Sequence, residues 1–193
     1  MGCIILMGIK HCGKSTQGKV VSEKLSVPFF DTDKVIEDEM GMSAREVYVQ
    51  SGEEAFKAAE AHACASVAEK LKGAGSCTVR DAVIATGGGI CNNSKAIDIL
   101  HPLGKFVFLV APEKVAADRI VREASISPEG KITNLPAYIA KKNPGSLDDV
   151  RALFHMFYEE RVKIYSKLCD VCIRMDNVPK HVNAQRIIAA IKF

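Results

Sequence analysis

Short apolar runs alternate along this chain with longer stretches of helical periodicity. The runs at Cys3–Met7, Pro28–Phe30, Val83–Thr86, Lys105–Val110 and Val171–Arg174 are continuously apolar rather than alternating, as strands buried on both faces are. Between them, helical spacing covers Lys14–Leu25, Thr32–Met40, Ser43–Ser51, Glu53–Lys72, Asn93–Ile99, Pro112–Val121, Leu147–Leu168 and His181–Ile191. Strands alternating with helices predict an α/β fold, a parallel sheet wound doubly with helices on both faces in three layers. Two segments break the rhythm. Residues 32–72 put three helical stretches between strands two and three, too much for a simple crossover, and predict a substrate-side lobe. Residues 123–146 carry three prolines, two glycines and little periodicity. A loop of that length inside a compact domain is commonly functional, and here it predicts a lid.

The totals add limits. A chain of 193 residues with 48% hydrophobic content suits one compact domain over 1–193. A net charge of +3, no Trp and 6% aromatics argue against nucleic acid as a partner. No 18-residue apolar stretch predicts a membrane span, and the N-terminus lacks the charge-then-apolar order of a signal peptide. Met1-Gly2 has no Ser or Thr at position 6, so it does not read as an acylation start. Seven cysteines, at 3, 12, 64, 77, 91, 169 and 172, are odd in number and scattered, which predicts a reducing, cytoplasmic setting. Cys169-x-x-Cys172 lies in a strand-like run with no second Cys or His pair to complete a zinc site, and reads as core.

Chemistry enters at "GIKHCGKST". Gly8-x-x-x-x-Gly13-Lys14-Ser15 fits the P-loop pattern, with a strand before it and a helix after it. Its glycines let the backbone N–H groups of residues such as His11 and Cys12 turn inward as an anion nest, to which the helix start at Lys14–Thr16 adds its positive end. Lys14 is expected on the β- and γ-phosphates of ATP and Ser15 on Mg²⁺. "FFDTD", Phe29–Asp33, then places two carboxylates at a strand end on the ligand side of the sheet. One suits water-mediated support of Mg²⁺ and the other an acceptor hydroxyl, although an Asp-x-Asp here is equally a helix cap. "ATGGGIC", Ala85–Cys91, offers a backbone surface on which a ligand can lie close.

The P-loop, "DTD", "GEEAFKAAE" (Gly52–Glu60) and "GGG", in this order and spacing, resemble shikimate kinase. That resemblance implies a five-stranded parallel sheet of order 2-3-1-4-5 in a monomer. It also implies transfer of the ATP γ-phosphate to the 3-hydroxyl of shikimate, in aromatic amino acid biosynthesis. By the same resemblance Asp31 supports Mg²⁺, Asp33 grips the acceptor hydroxyls and serves as base, and Gly87, Gly88 and Gly89 underlie the substrate. Arg161 pairs with the substrate carboxylate, Arg119 flanks adenine and Pro179 belongs to the adenine loop. Three departures stand out. Lys57 replaces the arginine of F-R-x-x-E, keeping charge but losing the bidentate fork. Leu135 stands before Pro136 where the lid arginine belongs, leaving Arg122, Lys131, Lys141 and Lys142 as other cations. Lys163-Ile164-Tyr165 replaces Pro-Leu-Tyr. A same-fold kinase for another hydroxylated acid, or a nucleotide-binding relative without catalysis, remains open at this point.

Overall fold

The computed structural model describes residues 2–72, 81–128 and 130–191, and Cys77 lies outside them. The chain runs β1 (Cys3–Met7), α1 (Lys14–Leu25), β2 (Phe29–Asp31), α2 (Thr32–Met40), α3 (Ala44–Lys72), β3 (Val83–Ala85), α4 (Ser94–Leu100) and β4 (Gly104–Val110). It continues through α5 (Glu113–Glu123), β5 (Ser125–Ile126), β6 (Ile132–Thr133), α6 (Ala137–Ala140), α7 (Leu147–Leu168), β7 (Val171–Arg174) and α8 (Lys180–Ile191). The main sheet has the order β2-β3-β1-β4-β7 with every pairing parallel. This is the expected order, the fifth long strand being numbered seven because a small hairpin intervenes. Every residue of β1 is buried, and Phe106, Val107, Phe108 and Leu109 of β4 are at most 1% exposed, as the apolar runs require for central strands.

Local chemistry sets the helix ends. The Asp31 carboxylate accepts from the Asp33 amide and caps α2, so the capping reading of Asp-x-Asp holds for its first member, while Asp33 sits in the first helical turn. Asn93 caps α4, and Ser146 with Asp149 forms a capping box at the start of α7. Within α3 the backbone breaks at Gly52, with φ at 83°, where the sequence predicts two helices to meet. A positive φ in mid-helix suits glycine at little cost, and it sets the second half of α3 at an angle to the first.

The structure corrects two expectations. Residues 123–146 are not featureless: β5 and β6 pair antiparallel and α6 follows. Both strands are two residues long, too short to leave a periodic signal. Cys169 and Cys172 are not core residues. Cys169 ends α7, half-buried, and Cys172 is exposed on the edge strand β7, where one strand face meets solvent. Cys3, Cys12 and Cys64 are buried as small apolar side chains. Among the described residues no helix is long and apolar enough to cross a membrane.

Leu135, at the root of α6, is 1% exposed and belongs to the core cluster. Leu135→Arg therefore would not restore a lid cation. It would bury an unpaired charge and is expected to destabilise the fold by about 3 kcal/mol or more, against less than about 1.5 kcal/mol for Leu135→Met. Urea unfolding of the two variants checks this.

Candidate active site

The parallel sheet brings the C-terminal ends of β1, β2 and β3 to one side, and the loops leaving them build a cavity of about 680 Å³. From the P-loop, His11, Gly13, Lys14, Ser15 and Thr16 line it. The Lys14 ammonium donates to the carbonyls of Gly8 (2.9 Å) and Ile9 (3.0 Å), holding the loop from inside. His11 takes a left-handed backbone, φ 65°, and its carbonyl accepts from the Arg119 guanidinium of α5. Its Nε2 lies 3.3 Å from Glu123, and burial holds the imidazole below its ordinary pKa against the pull of that carboxylate. Arg119 lines the same cavity. Gly8 and Cys12 lie beneath the lining. The Cys12 thiol, 2% exposed and 3.8 Å from Lys14 Nζ, packs under the loop rather than facing solvent.

The other end of the cavity is built from α2, α3, the glycine triplet and α7. Gly88 passes so close to the P-loop that a β-carbon there would stand 2.8 Å from the Lys10 amide nitrogen, so this position requires glycine for space. Its carbonyl accepts from Arg161 Nη1 at 3.1 Å and from the Tyr165 hydroxyl at 3.2 Å. Tyr165 is wholly buried and stacks on Phe108 of β4. The Arg161 guanidinium sits 4.2 Å from the centre of the Tyr138 ring, which meets Phe157 edge-on. Phe157, Arg161 and Tyr165 recur every four residues on α7, a helical spacing that was available in the sequence as a signal for this wall. Tyr138, in the short lid helix, had no such signal.

Two carboxyl groups face each other across Gly87: a β-carbon there would lie 2.7 Å from Glu60 Oε1 and 3.0 Å from Asp33 Oδ1. Asp33 opens on the cavity, yet the surrounding walls and the neighbouring Asp31 raise its pKa, against Lys14 and Lys10. Glu60 is 1% exposed. Its Oε2 accepts from Asn93 at 2.9 Å, while Oε1 is buried without a hydrogen-bond partner. Burial pushes the Glu60 carboxyl up to about 7. Lys57 lines the cavity but its ammonium is 3.2 Å from Glu53 and 3.3 Å from Glu54. Just after α6, Lys141 and Lys142 line the cavity as well, and Lys141 reaches Glu53 at 2.8 Å. Neither Lys131 nor Arg122 is among the lining residues.

Ser15, Asp31 and Asp33 also line an adjoining hollow of about 330 Å³. Among the described residues no group of three or more His, Cys, Asp or Glu is placed to hold a metal ion by itself. One hydroxyl and one or two carboxylates, open to a phosphate site, suit an ion that keeps waters and takes phosphate oxygens, as Mg²⁺ does. Pro179 does not join the cavity. It is exposed ahead of α8, next to a turn held by bonds from Asn183 and Arg186 to Asp176.

Comparisons with known proteins agree with this arrangement. The family model described as shikimate kinase matches residues 10–192. A shikimate kinase of Aquifex aeolicus (strain VF5) is 30% identical over 179 residues, covering 93% of this chain and 90% of that protein. One from Marinomonas sp. (strain MWYL1) is 31% identical over 189 residues, covering 98% and 91%. The solved structure of shikimate kinase from Acinetobacter baumannii in complex with shikimate superposes with a TM-score of 0.76 at 21% identity, covering 100% of this chain and 93% of that one, a likeness of fold. With its P-loop, its glycine triplet and the family pattern matched along nearly its whole length, the chain belongs to the shikimate kinase family.

Proposed function

We propose that this protein is an ATP-dependent kinase that transfers the γ-phosphate to the 3-hydroxyl of shikimate. One observation carries the reading: a single cavity joins the P-loop side chains Lys14, Ser15 and Thr16 to Asp33, Gly87–Gly89 and Arg161. A nucleoside triphosphate lying on the loop would point its terminal phosphate at Asp33. Arg161, fixed by the Gly88 carbonyl and the Tyr138 ring, offers charge to an acceptor carboxylate at the far wall.

In this reading the acceptor oxygen attacks the γ-phosphorus as the bond to the β–γ bridging oxygen breaks. ADP leaves, and the hydroxyl proton passes to Asp33. Lys14 leaves the loop carbonyls for the phosphate oxygens and offsets their charge. Ser15 and, through water, Asp31 would hold Mg²⁺, which neutralises phosphate charge when bound. The Gly88 carbonyl cannot reach the acceptor while Arg161 and Tyr165 occupy it, so the triplet presents its remaining edges. Residues 123–146 close over the cavity and exclude water, which otherwise competes as acceptor. The protein acts as a monomer on a small molecule.

A second reading, the same chemistry on another hydroxylated acid, is favoured by the engagement of Lys57 with two glutamates. A coupled ATP-turnover assay with Mg²⁺ and shikimate, gluconate or quinate separates the two. Stimulation by shikimate alone is expected. ATP binding with no stimulation by shikimate would sink the assignment. Asp33→Asn is expected to lower kcat by about two to four decades, the usual contribution of a general base, with ATP affinity retained in calorimetry.

The buried Glu60 carboxyl also makes stability depend on pH. Glu60 releases its proton near 4.5 in the unfolded chain and at about 7 in the folded one. Between those values the folded state binds more protons, so stability falls as pH rises through the window. The full difference is about 3 kcal/mol. Urea unfolding at pH 5 and pH 8 should show that fall in the parent, and Glu60→Gln should shrink it by most of that amount.

A further inference from the structure

Where the lid faces the lobe, one carboxylate stands between two ammonium groups. Glu53 Oε1 lies 3.2 Å from Lys57 Nζ, and Glu53 Oε2 lies 2.8 Å from Lys141 Nζ. The Tyr48 hydroxyl donates to Oε2 at 3.3 Å, and Lys141 Nζ also rides 5.0 Å above the Tyr48 ring. The two lysines pull the Glu53 carboxyl down to about 2, so it is ionised throughout the working pH range. All four side chains line the cavity that holds Asp33 and Arg161.

A carboxylate clamped by two lysines at the mouth of a site reproduces the contacts that an incoming acid would make there. Lys57 keeps Glu54 as a second partner, at 3.3 Å, so losing Glu53 would not strand it. Lys141 and Glu53 are both about half exposed, 52% and 46%, and an ion pair so placed is weak enough to exchange partners. Leu135, buried, cannot supply a lid cation, whereas Lys141 follows directly on the lid helix and already points into the cavity.

We propose that Lys141 is the lid cation for the acceptor's carboxylate, and that Glu53 holds its place until the acceptor arrives. Lys141 and Glu53 are then specificity-determining residues that select acids over their uncharged counterparts. This rests on the reading of the cavity as the site of a kinase for a hydroxylated acid.

The test compares kcat/KM for shikimate and for its methyl ester, with ATP saturating, in the parent protein and in K141A, K141R, K142A and E53Q. K141A should lose about tenfold on the acid, carried by KM, and change by less than about twofold on the ester. K141R should recover most of the loss. E53Q should raise the preference for acid over ester by about threefold. If K141A melts at a lower temperature, K141Q supplies the same measurement. An unchanged acid preference in K141A, its loss in K142A instead, or a lower preference in E53Q would each overturn the proposal while parental turnover stands. A parent that turns over neither acceptor removes the kinase reading, and this inference with it, before any variant is made.

Discussion

Three segments distant in sequence meet at Gly88. Arg161 and Tyr165 of α7 both donate to its carbonyl oxygen, and the Cα of the same residue lies against the P-loop at Lys10. Tyr165 in turn stacks on β4, the strand beside β1. The phosphate end and the acceptor end of the cavity are thus registered to each other through one peptide group and one buried ring, not through a flexible linker. Phosphoryl transfer rests on positioning more than on covalent chemistry, so the spacing between the two ends is the quantity the fold has to hold. The contact also dictates what Arg161 can do. One face of its guanidinium is taken by Tyr138 and one N–H by Gly88, while the side chain lines the cavity.

Charge is distributed along the cavity in a consistent order. Lys10, Lys14 and Arg119 stand at the P-loop end, and Asp33 with Glu60 beside the glycine triplet. Arg161, Lys57 and Lys141 stand at the acceptor end. Lys14 and Lys10 offset part of the charge at Asp33, and Arg161 and Lys57 part of that at Glu60. Burial of Glu60, with only one of its oxygens hydrogen-bonded, raises its pKa to about 7, so below neutral pH it adds less negative charge beside Asp33. Burial raises the pKa of both carboxyls, and Lys14 and Lys10 act against that rise at Asp33.

The sheet was legible because buried parallel strands are apolar throughout, and the break at Gly52 because glycine interrupts an otherwise continuous helical pattern. The P-loop, the Asp-x-Asp and the glycine triplet were legible by residue type and spacing, and Arg161 through the family resemblance; Lys14, Ser15, Asp33, Gly87–Gly89 and Arg161 line one cavity, with Asp31 in the adjoining hollow. Other features were not legible, for physical reasons. Strands of two residues carry no period, so β5 and β6 were invisible. Whether a cysteine at the end of a strand is core or edge depends on the strand's neighbours, and Cys172 falls on the outermost strand. The pairing of Asn93 with Glu60 joins residues 33 positions apart through a loop and a helix cap, which no local pattern reports. Pro179 is not among the residues that line the cavity, and Asn183 and Arg186 of α8 bond to Asp176 beside its turn.

The lid shows how a family position can change its chemistry without losing its mechanical role. At the site of the expected arginine the chain has Leu135, whose burial ties the root of α6 into the core. An arginine there would need its charge outside that core, and the lid would lose the anchor. With the anchor apolar, the cation has to come from beyond the helix, where Lys141 is free of the core and half exposed. Lysine is suited to that place: its long stem reaches across the mouth and its point charge tolerates a change of partner, whereas the planar fork of arginine favours a fixed one. Arg45 of the lobe meets Asn134 beside the same root, so the lid is held at its base by polar contacts and a buried leucine, and at its tip by an exchangeable ion pair. A segment fixed at one end and loosely charged at the other can open for substrate while keeping the register that the Gly88 contact sets.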